Sequence, residues 1–139
     1  MIFGKKITSL LIISTFCLLN FNCQFISNTI PLTDKDNGGL FLPNGFGALV
    51  VTDSSGPARH IAVSDEGDIY VKLRITEGDS GNVAIRVNKE GKATMMQRFG
   101  DYPNDGSFAT EMRIHNNYLY YSSEKVVYRQ KLKSGTLIP

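Results

Sequence analysis

From residue 46 onward the chain is a series of short apolar runs separated by turns rich in Gly, Asn and Asp. Two of these turns, "SDEG" at 64–67 and "NKEG" at 88–91, end in glycine, which is typical of hairpins in which one residue takes a positive φ. The pair "NN" at 116–117 predicts a third tight turn. No segment of ordinary helix length has apolar residues at helical spacing. The pattern therefore predicts an all-β fold of short antiparallel strands.

The apolar runs define the expected strands. We assign strands to residues 60–63, 68–73, 82–87, 93–99, 111–115, 118–123 and 125–132, and we expect a further β-rich segment at 46–53. Residues 24–45 are polar and rich in Asn, Gly and Pro, which favours a tether and lead-in over a core element.

The N-terminus has the composition of a secretory signal. Lys5 and Lys6 precede an apolar run at 7–19 that is too short for a membrane span of about 20 residues. We expect residues 1–23 to be a signal peptide, because a buried core helix would leave the two lysines unexplained.

Cys23 follows the apolar run in "LNFNC", a loose match to the box that precedes the lipidated cysteine of lipoproteins. We expect Cys23 to be lipidated as the first mature residue, and a free or unremoved cysteine is the alternative. The sequence thus predicts an exported protein, in the periplasm or, as a lipoprotein, at the outer membrane or cell surface.

The net charge of +2 has its origin at the N-terminus. Residues 1–23 contain two lysines and no acidic residue, so their removal leaves equal numbers of basic and acidic side chains. A nucleic-acid partner is not expected, because it requires a clustered basic face. The only membrane contact that we expect is through a lipid anchor.

A repeat relates the two halves of the β region. "GDIYV" with Tyr70 and "NYLYY" with Tyr120 each follow an apolar strand and a turn. Four short strands per about 40–50 residues is the spacing of propeller blades, and a propeller has about four to eight blades. We assign blade 1 to about 57–100 and part of blade 2 to about 107–139. Residues 46–139 then form an incomplete β-propeller of about two blades, from a longer protein or a truncated product; a sandwich or small barrel is the alternative.

Two stretches in combination carry a family resemblance: "ARHIAV" followed by "GDIYV", and "IHNNYLYYSS" followed by "VYRQKL". Residues 42–139 resemble the N-terminal part of the glucose/sorbosone dehydrogenase family. The resemblance implies a six-bladed propeller that oxidises sugars or sugar aldehydes with pyrroloquinoline quinone, often with calcium, in the periplasm. It also implies that the catalytic histidine and the cations that hold the quinone lie beyond Pro139, so that this chain is not catalytic on its own.

The sequence departs from that family at two places. Asn88, Lys89 and Glu90 stand where relatives often have an aspartate-rich turn, and they offer too few oxygen ligands for calcium, which takes about six to eight. "SFATE", with Glu111 next to a strand, replaces a glycine-rich step. We expect no metal site within this chain, and both the quinone and calcium are implied by the resemblance alone.

Arg59 and His60 are the candidate site residues. The innermost strand of a blade lines the central channel, and both residues lie at the start of such a strand. They are therefore candidates for a channel wall, in which Arg59 would pair with a carboxylate of a quinone or an acidic sugar. The alternative is a structural histidine bonded to a neighbouring loop and a solvated arginine. The alternative function for the whole protein is a non-catalytic surface or periplasmic lipoprotein propeller that binds carbohydrate or protein.

The carboxylates of the first turn are expected to be structural. Asp65, Glu66 and Asp68 are placed at a solvated hairpin tip. Such a tip supplies neither the desolvation nor the rigidity that general acid–base catalysis needs.

The tyrosines and methionines of the strands are expected to pack between sheets. We place Tyr120 on the side opposite to Tyr118 and Tyr121. We expect Met95 and Met96 to point to opposite faces, with both side chains buried.

Overall fold

A computed structural model describes residues 31–77, 80–101 and 111–139. The predicted signal peptide, Cys23 and the first residues of the lead-in lie outside this part of the chain, as does the start of the predicted second blade. Within the described ranges, no helix is both long enough and apolar enough to cross a membrane.

The described residues form seven strands and one short 3-10 turn, at Asn37–Gly39. The strands are β1 (Ala58–Val63), β2 (Ile69–Glu77), β3 (Ser80–Val87), β4 (Ala93–Asp101), β5 (Met112–His115), β6 (Tyr118–Ser122) and β7 (Val127–Lys131). Each corresponds to one predicted strand, and the all-β class is confirmed. The ends of the elements differ from the predicted ends by up to four residues.

The strands form two antiparallel meanders. Sheet 1 has the order β1-β2-β3-β4, and sheet 2 has the order β5-β6-β7. Every pair of neighbours is antiparallel and consecutive in the chain. Short turns are sufficient to connect such strands.

The turns form because their residues tolerate positive φ. Gly67 (φ 86°) and Gly91 (φ 76°) end the β1–β2 and β3–β4 turns, as predicted. Each glycine N–H donates to the first residue of its turn, Gly67 to the Ser64 carbonyl at 2.9 Å and Gly91 to the Asn88 carbonyl at 3.0 Å. The two asparagines of the β5–β6 turn, at 116–117, have φ of 47° and 63°, as a two-residue hairpin loop of type I′ requires.

Alternation gives sheet 1 two distinct faces. We call them face A and face B. Face A carries His60, Ala62, Tyr70, Lys72, Asn82, Ala84 and Phe99, and face B carries Ile61, Val63, Ile69, Val71, Leu73, Val83 and Ile85.

The main core lies between face A and sheet 2. The Phe99 ring contacts Tyr70 and Tyr121 edge-on, with centroid distances of 6.0 and 6.1 Å. Leu119 of β6 is 0% exposed in the same cluster, and its burial contributes about 1.5–3 kcal/mol. Burial also raises the pKa of Tyr121 to about 12. Tight packing of large side chains thus joins the two sheets.

Face B is covered only in part. Val51 of the predicted β-rich segment 46–53 packs on the aliphatic cluster of face B, and its carbonyl accepts from the Ala93 N–H at 3.0 Å. Ile61 and Val63, both on β1, remain 66% and 55% exposed. The prediction of a strand at 46–53 is wrong for the described part of the chain, because this segment lies against a sheet face and no described strand pairs along it.

The lead-in is held to the β3–β4 turn by polar contacts. Asp34 accepts hydrogen bonds from Lys92 Nζ at 2.9 Å and from the Val50 N–H at 2.8 Å. The hydrogen bond from Lys92 is the main cause that lowers the pKa of Asp34 below its ordinary value. Large apolar side chains nearby, such as Phe41, stay exposed. The described part of the lead-in is therefore attached to sheet 1 without forming a core of its own.

Sheet 2 repeats the pairing of the first three strands of sheet 1. In the first two strands, the pairs Val63–Ile69, Ala62–Tyr70 and Ile61–Val71 correspond to Ile114–Leu119, Arg113–Tyr120 and Met112–Tyr121. In the third strand, Val83 and Ala84 correspond to Tyr128 and Arg129. The two sheets are thus equivalent in register, and Tyr70 and Tyr120 occupy the same position.

This equivalence identifies which faces meet. Tyr70, on face A of sheet 1, packs in one cluster with Leu119 and Tyr121 of sheet 2. By register, Leu119 and Tyr121 correspond to Ile69 and Val71, which lie on face B. The sheets therefore pack unlike faces together, and the equivalent of face A in sheet 2 points away from sheet 1.

Candidate functional site

A cleft runs between the first strands of the two sheets. β1 and β5 lie side by side, and the cleft has a volume of about 420 Å³. It is lined by residues 60–63 of one sheet and 111–114 of the other. Both strands are edge strands, so polar side chains can reach the cleft without crossing a core.

Two charged side chains and one histidine make the cleft polar. Arg113 Nε donates to Glu111 Oε1 at 2.7 Å. This hydrogen bond, the Arg113 charge and, more weakly, His60 lower the pKa of the Glu111 carboxyl. The cleft thus combines an ionised carboxylate, an oriented guanidinium and an imidazole, a set that can bind hydroxyl or carboxyl groups through hydrogen bonds.

The two predicted site residues have different surroundings. His60 lines the cleft and is half-buried, opposite Lys72 of β2. Arg59 is exposed and lies where the β1–β2 register shifts, between Ala58 and His60. Such an irregularity turns a side chain away from the regular ladder, and Arg59 is outside the cleft lining.

A buried polar row extends from His60 across sheet 1. Lys72 and Asn82 are both 0% exposed and face each other on β2 and β3. Lys72 Nζ donates to the Leu73 carbonyl at 3.3 Å. Neither polar atom of the Asn82 side chain has a hydrogen-bond partner in the described part of the chain. Lys72 and Asn82 are the least exposed polar side chains among the described residues.

A second cavity, of about 480 Å³, lies where the hairpin tips of the two sheets meet. It is bounded by residues 64–68, by residues 115–117 and by the segment that follows β7. Glu66 accepts from the Gly135 N–H at 3.2 Å, and its hydrogen bonds with Ser134 and Gly135 lower its pKa. The C-terminal segment is thereby fastened to the first turn.

We predicted that Asp68 of the first turn is solvated, and this prediction is wrong, because Asp68 is only 3% exposed. Arg86 Nε and Nη2 donate to its two carboxylate oxygens at 2.8 and 2.6 Å. Arg86 lies on β3, the strand that neighbours β2, and its side chain extends to Asp68, which directly precedes β2. Asp65 and Glu66 are exposed, as expected.

The outward face of sheet 2, which we call the tyrosine face, carries Arg113, Tyr118, Tyr120, Val127 and Arg129. The rings of Tyr118 and Tyr120 lie 6.5 Å apart, and the Arg129 guanidinium lies 4.7 Å from the Tyr118 ring centroid. The predicted placement of Tyr118 was wrong, because residues two apart in a strand share a face; Tyr121 alone points inward.

Met95 and Met96 also correct an expectation. They alternate along β4 as predicted, but both are exposed, at 47% and 41%. β4 is an edge strand of sheet 1, and the described residues cover neither of its faces at this point. The prediction that both methionine side chains are buried is therefore wrong.

Glu111 and Arg113 are the site residues that the sequence did not reveal. Register places Arg113 at the position of Ala62, and Glu111 corresponds to His60. Alignment of the two halves of the repeat would have exposed the change from the small, neutral Ala62 to Arg113 and from His60 to Glu111.

The described residues contain no group of three or more metal-ligating side chains. Asn88 Oδ1, in the turn that replaces the expected calcium loop, accepts from the Lys92 N–H at 2.9 Å. Comparison with family models, curated proteins and solved structures gives no match to this chain.

Proposed function

We propose that this chain forms two consecutive wedges of an exported β-propeller of the glucose/sorbosone dehydrogenase type. The observation that carries the proposal is the packing of unlike faces between two sheets of equivalent register. Packing of this kind is heterologous: each sheet offers one face to the sheet before it and another to the sheet after it. In a two-sheet sandwich, by contrast, the inner faces enclose the core and the outer faces are polar.

The position of the first strands supports the same proposal. β1 and β5 lie side by side, as innermost strands do around the axis of a propeller. Segment 46–53 covers face B beside the β3–β4 turn and leaves Ile61 and Val63 of β1 bare. In a closed ring, an N-terminal segment that joins the last blade to the first would have this location.

The cleft between β1 and β5 is the proposed stretch of channel wall. His60, Glu111 and Arg113 would bind and orient the hydroxyl groups of a sugar or sugar aldehyde through charge-assisted hydrogen bonds. Arg59 would stand at the rim of the wall, where a ligand carboxylate could reach it. These residues position the substrate, and no proton transfer is assigned to them.

The cofactor belongs to the rest of the protein. In the full form, pyrroloquinoline quinone would accept hydride from the sugar, with the catalytic histidine and the quinone-binding cations on blades outside residues 1–139. The residues described offer no calcium ligand set and no free cation in the cleft beside the Arg113–Glu111 pair. Export through residues 1–23 and lipidation of Cys23 would place the protein in the periplasm or at the outer membrane or cell surface.

The test is dye-linked oxidation of aldoses by the full-length gene product, with added quinone and Ca²⁺. We expect His60→Ala and Arg113→Ala to raise KM by about tenfold, the effect of one lost charge-assisted hydrogen bond. Lys89→Ala, in the remote β3–β4 turn, is the matched control and should leave KM unchanged. No oxidation and no quinone binding would overturn the enzyme and leave a propeller that binds carbohydrate or protein.

A further inference from the structure

The side-chain amide of Asn82 is buried without any contact that satisfies it among the described residues. The side chain is 0% exposed, and neither Oδ1 nor Nδ2 has a hydrogen-bond partner in this part of the chain. Buried polar side-chain atoms are nearly always paired, either with protein or with ordered water. An amide presents an acceptor and two donors, so its partner must both donate and accept.

We propose that Asn82 binds a buried water molecule on face A of sheet 1, beside Lys72. A water molecule can donate to Asn82 Oδ1 and accept from Asn82 Nδ2, which satisfies both ends of the amide. Lys72 lies directly opposite on β2 and brings a further donor nitrogen to the same face. Buried waters typically make about three hydrogen bonds to polar groups of this kind.

Burial restricts the ligand to the size of water. Lys72 and Asn82 are each 0% exposed, so a larger molecule would have to push packed elements apart before it reached the amide. The chemistry of the amide also disfavours an ion. An anion would be repelled by Asn82 Oδ1, and a cation would meet the N–H groups of Asn82 and Lys72. A neutral molecule that donates and accepts satisfies the site without either conflict.

The order of side chains along face A locates the site in the fold. The register aligns His60, Lys72, Asn82 and Phe99 across the four strands of sheet 1. At one end of this row, the Phe99 ring packs edge-on against aromatic rings of both sheets. At the other end, His60 lines the cleft between β1 and β5. The proposed water therefore lies behind the cleft, between its histidine and the aromatic core.

Magnetization transfer between water and the Asn82 amide tests the proposal on the full, isotope-labelled chain by NMR. We expect the Asn82 side-chain NH₂ protons to show cross peaks to water whose laboratory-frame and rotating-frame Overhauser effects have opposite signs. Opposite signs mean that the water stays bound while the protein tumbles. The exposed Asn88 amide of the β3–β4 turn is the internal control, and its two effects should have the same sign, as passing surface water gives.

Asn82→Leu gives a second measurement, because leucine has a similar volume and no polar side-chain atom. If water satisfies the amide, the substitution exchanges satisfied hydrogen bonds for apolar contacts, and the folding equilibrium constant from urea unfolding should change by less than about tenfold. A gain of more than about tenfold would overturn the proposal, since it would mean that the native amide is unsatisfied.

Two results of the NMR measurement would also overturn the proposal. Asn82 protons without cross peaks of opposite sign to water would show that no bound water is there. Cross peaks to another polar side chain in place of water would assign the amide to a partner within the chain. This measurement uses the unmodified chain, so it decides the matter even if Asn82→Leu does not fold. Neither readout depends on the propeller or on sugar oxidation, so the proposed function stands or falls separately.

Discussion

Tyr70 and Tyr120 occupy equivalent positions in the two sheets, and replacing each with alanine compares a covered face with an uncovered one. The Tyr70 side chain is 2% exposed, contacts Phe99 edge-on at 6.0 Å, and donates its hydroxyl hydrogen to the Leu137 carbonyl at 3.2 Å. Tyr70→Ala should lower the free energy of unfolding by about 3–5 kcal/mol. Of this, the ring pair accounts for about 0.5–1.5 kcal/mol and the hydrogen bond for about 1 kcal/mol, and lost burial with the remaining cavity accounts for the rest.

Tyr120→Ala should behave differently. The side chain of Tyr120 is half-exposed and contacts Tyr118 across 6.5 Å on the outward face. In dilute solution the substitution should cost about 1 kcal/mol or less, since little buried area is lost. The two alanine variants should therefore differ by about 2–4 kcal/mol, although the native residues are identical and equivalent in register.

Urea unfolding followed by far-ultraviolet circular dichroism measures both costs. Tyr70→Phe is the matched control, because it keeps the ring and removes only the hydroxyl, and it should cost about 1 kcal/mol. Equal costs for the two alanine variants in dilute solution would refute the assignment of faces. A cost below about 1 kcal/mol for Tyr70→Ala would refute the described packing between the sheets.

Three further outcomes test local contacts. Asp68→Ala should cost about 2–4 kcal/mol in the same urea assay, because it leaves the partly exposed Arg86 guanidinium without the carboxylate that binds it twice; a cost below 1 kcal/mol would mean that the pair behaves like an exposed one. The Asp34 pKa is lowered by its hydrogen bond from Lys92, so the stability it contributes is present above its ordinary pKa of 3.8 and is lost as the pH falls through the lower folded value. A titration of the carboxyl by NMR should give a folded pKa below 3.8, and Lys92→Met should raise that pKa toward the ordinary value, while the hydrogen bond from the Val50 N–H remains. Gly91→Ala should cost roughly 1–2 kcal/mol through left-handed strain, and the Leu49 side chain of segment 46–53, whose Cδ2 would lie 2.5 Å from the new Cβ, would have to shift; faster proteolysis of segment 46–53 would report its release.

Most of the fold could be predicted because its signals are local. A glycine that ends a turn requires positive φ, and both Gly67 and Gly91 have it. Alternation and turn chemistry together indicate roughly where each strand lies and which strands pair, and a meander needs no further information about order. The seven strands were therefore recoverable from runs of a few residues.

The remainder depends on neighbours that are distant in sequence. Segment 46–53 has the composition of a strand, but a strand also needs a partner along its edge, and here a sheet face lies against it. In sequence, Asp68 has the pattern of a solvated turn residue; only the fold shows that Arg86, on another strand, binds its carboxylate. The cleft has the same origin: His60 meets Glu111 only because the first strands of two sheets are adjacent.

The equivalence of register has a consequence for how such a chain can evolve. In the proposed wedge packing, the first three strands of each sheet offer equivalent backbone surfaces to a neighbour, so duplication or loss of one unit would create no new kind of backbone junction. Gene length could then change in whole units, while the side chains at the junctions would differ from unit to unit, as Arg113 does from Ala62.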